Sequence, residues 1–182
     1  MSNSRSRKHK PHTNAPSRQW RRMDLHLHTP GSSDYQEMIA AVVTGVKTSG
    51  INRLVMALFE HDNFGKLFRI IARGNWYSGY GTPPSPVGTE YPRAIYEKLF
   101  QNTTQVYVED VSQHPMDDPL RQELLRQNIH SVGVIPMISG KRQIGALLVE
   151  SEQHHVFTGR EIRTLPPLVD QLTIAVENLR LF

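Results

Sequence analysis

One stretch constrains this chain more than any other: from Gln105 to Phe182 the apolar period alternates between two and 3.6, the spacings of strand and helix. Val106 to Val111 opens it as a strand. Asp117-Asp118-Pro119 announces a short helix, since Asp is a good N-cap and Pro is tolerated in the first turn, where its missing N–H leaves no bond unmade. Two apolar runs follow, Ser131 to Ile138 and Gln143 to Glu150. Ser139-Gly140-Lys141-Arg142 separates them, which reads as a hairpin between antiparallel strands. The chain closes on a helix with Leu165, Val169, Leu172, Val176 and Leu179 spaced four, three, four and three, a seam of the kind that meets a partner helix.

The earlier body has the same mixed character. Glu37 to Thr48 carries Ile39, Val42, Val43 and Val46 on one helical face, with Gly50 placed to end the helix. Arg53 to Phe59 and Lys66 to Ala72 flank His61-Asp62-Asn63-Phe64-Gly65, a turn rich in residues that tolerate positive φ, so they are expected to pair as antiparallel strands. Asn75 to Glu90 holds too much Gly and Pro for regular structure and reads as a loop. A second short helix spans Arg93 to Phe100. The expected class is α+β, with the runs at 131–138 and 143–150 so continuously apolar that both faces of their sheet are covered.

A chain of 182 residues is long enough for one domain with a real core. It contains no cysteine, which excludes disulfides, thiolate zinc sites, thiol nucleophiles and thioether-linked chromophores. No apolar run approaches the roughly 20 residues needed to cross a bilayer, and no membrane partner is expected; the expected location is cytoplasmic. The net charge of +4 misleads. Arg5, Arg7, Lys8, Lys10, Arg18, Arg21 and Arg22 all precede the first acid, Asp24, and beyond Met23 acids outnumber bases. Residues 1–22 therefore read as a disordered basic tail. A solvated leader is favoured over an arm for nucleic acid, because Trp20 stands without aromatic companions.

Residues 23–36 are set apart as a linker. Asp24-Leu25-His26-Leu27-His28-Thr29-Pro30 places His26 and His28 on one face of an extended strand, where two imidazoles can share a metal ion. From Asp24 to Tyr35 this resembles the first strand of the PHP family of metal-dependent phosphoesterases. That resemblance implies further His, Asp and Glu ligands from later strands of a barrel, which the remaining sequence does not offer; Glu60-His61-Asp62-Asn63 is the nearest echo and is better explained as a hairpin turn. The segment reads as a remnant or fragment of such a phosphoesterase, with His26 and His28 the candidate metal ligands.

Across residues 37–182 a set of pieces stands in a specific order: Gly88-Thr89 before a helix, Val108 to Ser112 leading to Pro115 and Asp118-Pro119-Leu120, and Ile129 to Met137. They continue with Gly140 to Leu147, Phe157-Thr158-Gly159-Arg160-Glu161 and Gln171 to Asn178. In that combination, order and spacing the segment resembles the GAF family of small-molecule sensor domains. The resemblance implies a central antiparallel sheet of five or six strands, with terminal helices on one face and a loop-roofed pocket on the other. It also implies a noncatalytic sensor module of signal transduction with a small-molecule ligand, a homodimer through the terminal helix, and an output domain beyond this chain.

Members of the family bind cyclic nucleotides, tetrapyrroles, haem or small metabolites. A covalent bilin and the methionine sulfoxide reductase chemistry of this fold both need a cysteine that this chain lacks. The Asn-Lys, Phe and Asp-Glu signature of cyclic-nucleotide binders is matched only by Gly140-Lys141, Phe157 and Glu161. No cofactor is specified, and the ligand stays unidentified. Asp110, Pro115 and Pro136 are the candidate pocket residues. Glu109-Asp110 could present a carboxylate or cap the loop to Pro115, with the cap favoured; Pro136 cannot donate to a ladder, so its N–H side must face an edge or gap. His114, His130, His154 and His155 read as structural histidines rather than ligands. Thr158 and Glu161 fit a capping box, and Pro166-Pro167 predicts a kink, with the main helix starting near Leu165.

Overall fold

The structure, a computed structural model, describes residues 40–44 and 50–180. Its centre is a five-stranded antiparallel sheet in the order β2-β1-β5-β4-β3. The strands are β1 (Arg53–His61), β2 (Leu67–Tyr77), β3 (Val106–Val108), β4 (Ser131–Ser139) and β5 (Arg142–Ser151). The helices are α1 (residues 40–44), α2 (Arg93–Phe100), α3 (Asp118–Arg126) and α4 (Gly159–Arg180). This is the α+β architecture expected from the sequence. The His pair, the basic tail and most of the first predicted helix lie outside the described residues.

Two tight hairpins set the register. At the first, Asp62 Oδ1 accepts from the backbone N–H groups of Phe64 and Lys66, both at 2.9 Å, and Gly65 takes a φ of 76° that a side chain would strain. At the second, Ser139 pairs with Arg142 across Gly140-Lys141, with Gly140 at φ 61°. β2 runs five residues further than the pattern suggested, to Tyr77, because Trp76 packs into the core. Pro136 behaves as expected: β3 pairs with β4 only as far as Val106↔Val134, so the missing N–H falls beyond the end of β3.

Side chains alternate between the two faces of the sheet, as strand geometry requires. On one face Leu54, Met56, Leu58, Ile135, Met137, Leu147 and Val149 form a core with Val42 of α1 and Leu165, Val169, Leu172 and Val176 of α4. On the other, Val55, Ala57, Phe59, Val132, Val134, Ala146 and Leu148 meet Tyr91, Tyr96, Phe100, Leu120 and Leu124. Both faces are covered, as the continuous apolar runs required.

The terminal helix corrects two readings. The four-three seam is buried inside the protomer against the sheet, with Val169 and Leu172 fully buried, so the seam itself is not what a second copy would meet. The helix also runs through Pro166 and Pro167 as one element rather than starting anew near Leu165. Leu165 and Val169 are anchored on either side of the prolines, and that burial outweighs the lost N–H donors. The capping box is present: Thr158 N–H donates to Glu161 Oε2 at 2.7 Å, and Glu161 N–H to Thr158 Oγ1 at 3.2 Å. Asp117 sits at the N-cap position of α3 but makes no side-chain cap; its carboxylate pairs with Lys98 Nζ at 2.6 Å.

Candidate functional site

Arg53 opens β1 and Glu150 lies opposite it on β5. Both are buried, with side chains only 2% and 5% exposed, and Arg53 Nε stands 3.2 Å from Glu150 Oε2. A buried guanidinium stays charged and must have acceptors. Arg53 Nη1 donates to the Gln127 carbonyl at 3.0 Å and the Thr82 carbonyl at 3.3 Å, Nη2 reaches the Asn128 carbonyl at 3.4 Å, and Glu152 Oε1 lies 3.7 Å from Nη1. One side chain thus ties together the end of α3, the segment 78–92 and the end of β5.

Segment 78–92 is a strap over this cluster. Its first half is fastened by polar bonds: Ser78 N–H to the Asn52 carbonyl, Asn52 Nδ2 to the Tyr80 carbonyl, Tyr77 Oη to the Gly81 carbonyl and Thr82 N–H to Glu152. Gly79, Gly81 and Gly88 hold positive φ along it. Its second half lies along β2, where Ala72 N–H donates to the Thr89 carbonyl and Tyr91 N–H to the Ile70 carbonyl, both at 2.8 Å.

Between strap, α2 and α3 is a recess of about 470 Å³, walled by Arg53, Pro83, Pro84, Pro86, Tyr91 and Tyr96, with Glu123 and Arg126 from α3 and Gln127 just past its end. Such a volume suits a small ligand. The two tyrosine rings meet edge to face at 4.9 Å. Tyr96 Oη accepts from Gln127 Nε2 at 2.9 Å. Burial raises both phenols far above their ordinary range, with the charge of Glu150 or Glu123 adding to it, so both stay neutral. At the rim, Arg126 makes two hydrogen bonds to Glu123, at 2.8 and 2.7 Å, and these hold that carboxyl below the usual range.

Burial pushes the Glu150 carboxyl up to about 7, against the opposing pull of Arg53. Glu152 goes the other way: its partial desolvation is outweighed by hydrogen bonds from Thr82 and Asn128 and by Arg53, and it is held below the ordinary carboxylate range. A second hollow of about 910 Å³ lies at the other end of β1, bordered by His61, Asp62, Arg73, Arg142 and Leu179. There Glu60 is already paired with Arg73 at 2.7 Å, and no lining charge is buried as Arg53 is.

The sequence-predicted site residues lie elsewhere. Asp110 is a turn former, its Oδ1 accepting from Ser112 N–H at 2.9 Å and Ser112 Oγ at 2.6 Å, which fits the capping role. Pro115 is exposed in the following loop and Pro136 is half-buried on β4. None of the three lines either hollow. His155 is structural, its Nε2 at 3.1 Å from Glu161 Oε1. His26 and His28 lie outside the described residues, and among those described no group of three or more His, Cys, Asp and Glu side chains is placed to hold a metal.

Arg53, Tyr91, Tyr96, Glu150 and Glu152 were missed from sequence. A signal existed in two charges that end otherwise apolar strands, Arg53 and Glu150, since a charge in a covered sheet needs a partner. Their pairing needs the β1–β5 register, which joins residues far apart in the chain and leaves no local trace.

Comparison with known proteins agrees with this fold. A family model described as GAF domain matches residues 32–177. Among solved structures, the GAF domain of a two-component sensor histidine kinase from Bacillus halodurans superposes with a TM-score of 0.63 at 18% identity, covering 82% of this chain and 97% of that one. The phycocyanobilin-bound GAF domain from a cyanobacterial phytochrome gives 0.66 at 17%, over 82% and 87%. The blue-light absorbing form of the PixJ GAF domain from Thermosynechococcus elongatus gives 0.64 at 14%, over 81% and 88%. No curated protein matches significantly. Five antiparallel strands between a terminal helix and a strap-roofed face, with a family match across most of its length, make this chain a member of the GAF domain family.

Proposed function

We propose that this chain is a noncatalytic sensor module of signal transduction that takes a small molecule into the recess under strap 78–92. Solved relatives of the fold include GAF domains of a sensor histidine kinase and of a bilin-bound phytochrome, which supports the sensor reading. With no cysteine in the chain, a bilin could not be held here through a thioether.

The observation that carries the reading is the sharing of one short segment by the roof and the terminal helix. Glu152 fastens the strap through Thr82 N–H. Three residues on, His155 holds Glu161, and Thr158 with Glu161 caps α4. A ligand that moves the strap therefore pulls on residues that set the start of α4. The ligand must bind the two strap positions with different affinity for this to signal.

Asp110, Pro115 and Pro136 remain a proposed second contact region on the same protein. The module is proposed to be cytoplasmic and dimeric, with an output domain outside this chain; among the described residues no helix is long and apolar enough to cross a membrane. With the seam buried, the face of α4 left for a second copy carries Thr164, Pro167, Gln171, Ile174 and Asn178. A phosphoesterase reading through His26 and His28 draws no support from the family match, which starts at residue 32.

The test is a thermal-shift screen of the full chain against nucleotides, haem and small metabolites, repeated on Ser85→Phe, which puts a ring into the recess. A hit that stabilises the protein and is lost in that variant is expected. Hits indifferent to Ser85→Phe would contradict the recess as the site.

A further inference from the structure

The buried cluster under the strap carries unequal charge. Arg53 supplies one positive charge, and Glu150 and Glu152 both lie within ion-pair distance of it, at 3.2 and 3.7 Å. With both carboxylates ionised the cluster carries an excess negative charge, and the share on fully buried Glu150 is held out of water, which is costly. The two acids are not equally provided for. Glu152 accepts from Thr82 N–H and is 15% exposed. Among the described residues Glu150 has Arg53 Nε as its ion-pair partner, and that N–H is not aligned into a hydrogen bond.

Among the described residues the surroundings of Glu150 offer no further cation. From β1 it faces Arg53, from just beyond β5 Glu152, from the end of the strap Tyr91 and from α2 Tyr96, both phenols feeling its charge. From β4 its register partner is Val132. Across the recess Glu123 and Arg126 of α3 satisfy each other. Two routes relieve the excess charge: a proton on Glu150, or a strap that lifts and admits water.

We propose that Arg53, Glu150 and Glu152 form a proton-operated latch that regulates the recess, with the strap held closed when Glu150 is protonated and released when it is ionised. The proton on Glu150 leaves Arg53 and Glu152 as a balanced pair, and Glu152 keeps its grip on Thr82. Lifting the strap hydrates Glu150 and returns it to the ordinary carboxylate range, so closure takes up one proton. The burial of Glu150 that pushes it up to about 7 places this uptake between the ordinary carboxylate range and neutral pH, fading above about 7. For a closed-state midpoint near 7 and an ordinary open-state one, the open-to-closed ratio rises about tenfold from pH 6 to pH 8.

The latch acts on the recess assigned above, and its test needs no ligand, so the two ideas fail separately. In the full chain, the carboxyl carbon of Glu150 is followed by ¹³C NMR from pH 5 to 8.5. Limited proteolysis within 78–92 is measured at pH 6 and 8, with Glu150→Gln as the permanently neutral reference at each pH. The expected result is a Glu150 midpoint near 7 and strap cleavage, relative to Glu150→Gln, about tenfold faster at pH 8 than at pH 6. Glu152→Gln removes the excess charge and keeps an oxygen acceptor for Thr82, and it should move the Glu150 midpoint downward. A Glu150 that titrates in the ordinary carboxylate range, or a cleavage ratio to Glu150→Gln unchanged between the two pH values, would overturn the proposal.

Discussion

Gly145 shows how closely single residues fix this fold. A Cβ built there would strike the Ala57 carbonyl and Leu58 of the neighbouring strand, so Gly145→Ala must separate β1 from β5, the pair that carries Arg53 and Glu150. We expect a loss of about 1–3 kcal/mol in urea unfolding, typical of overpacking. Glu161 is a second such residue, since its carboxylate takes Thr158 N–H, Thr158 Oγ1 and His155 together. Glu161→Ala should cost about 1–2 kcal/mol, read as a lower melting temperature. Glu150 gives a pH dependence of unusual sign. Its folded value of about 7 lies above its unfolded value of 4.5, so the folded state binds the extra proton. Its contribution is full below the unfolded value, falls as pH rises through the window between the two, and is gone above about 7. Over that window the wild type should lose up to roughly 3 kcal/mol relative to Glu150→Gln, measured by urea unfolding at pH 5 and 7.5.

At the scale of elements, α4 is where pattern and structure diverge. The four-three spacing of Leu165, Val169, Leu172 and Val176 fits a coiled-coil seam and fits equally a helix lying on a sheet, and the burial of all four decides for the sheet. Leu172→Ala should therefore lower the stability of the protomer by about 2–5 kcal/mol whatever its oligomeric state. Ile174, 63% exposed on the other face, should tolerate Ile174→Glu within about 0.5 kcal/mol. If α4 pairs two copies, that variant and not Leu172→Ala should dissociate them without loss of stability, as seen by light scattering. The hairpins at 62–66 and 139–142 and the strands beside them were legible because a turn and its flanking alternation are local. The passage of α4 through Pro166 and Pro167 was not, because local preference says stop and only the packed residues on both sides say continue. Asp117 fails as a cap for a similar reason: Lys98, from another helix, takes its carboxylate.

At the scale of the molecule, the sheet separates two tasks. One face is closed by α4 and α1 around Leu54, Met56 and Leu58; the other is packed around Tyr96 and Phe100 and keeps its recess at the rim, beneath the strap. The fold class and family were readable from the order of the sequence pieces. The recess was not, since it is assembled from Arg53, Tyr91, Tyr96 and Gln127, which only the folded sheet brings together. The central claim is that the strap and the start of α4 are mechanically joined through Glu152, His155 and Glu161. Gly81→Ala tests it, because Gly81 has a φ of 80° and its new Cβ would collide with the Glu152 carboxylate, lifting the strap from its fastening. Hydrogen exchange on this variant should show faster exchange in 78–92 and also in the first turn of α4, residues 159–164, while β4 and β5 stay protected. A loosened strap beside an unchanged α4 would contradict the account.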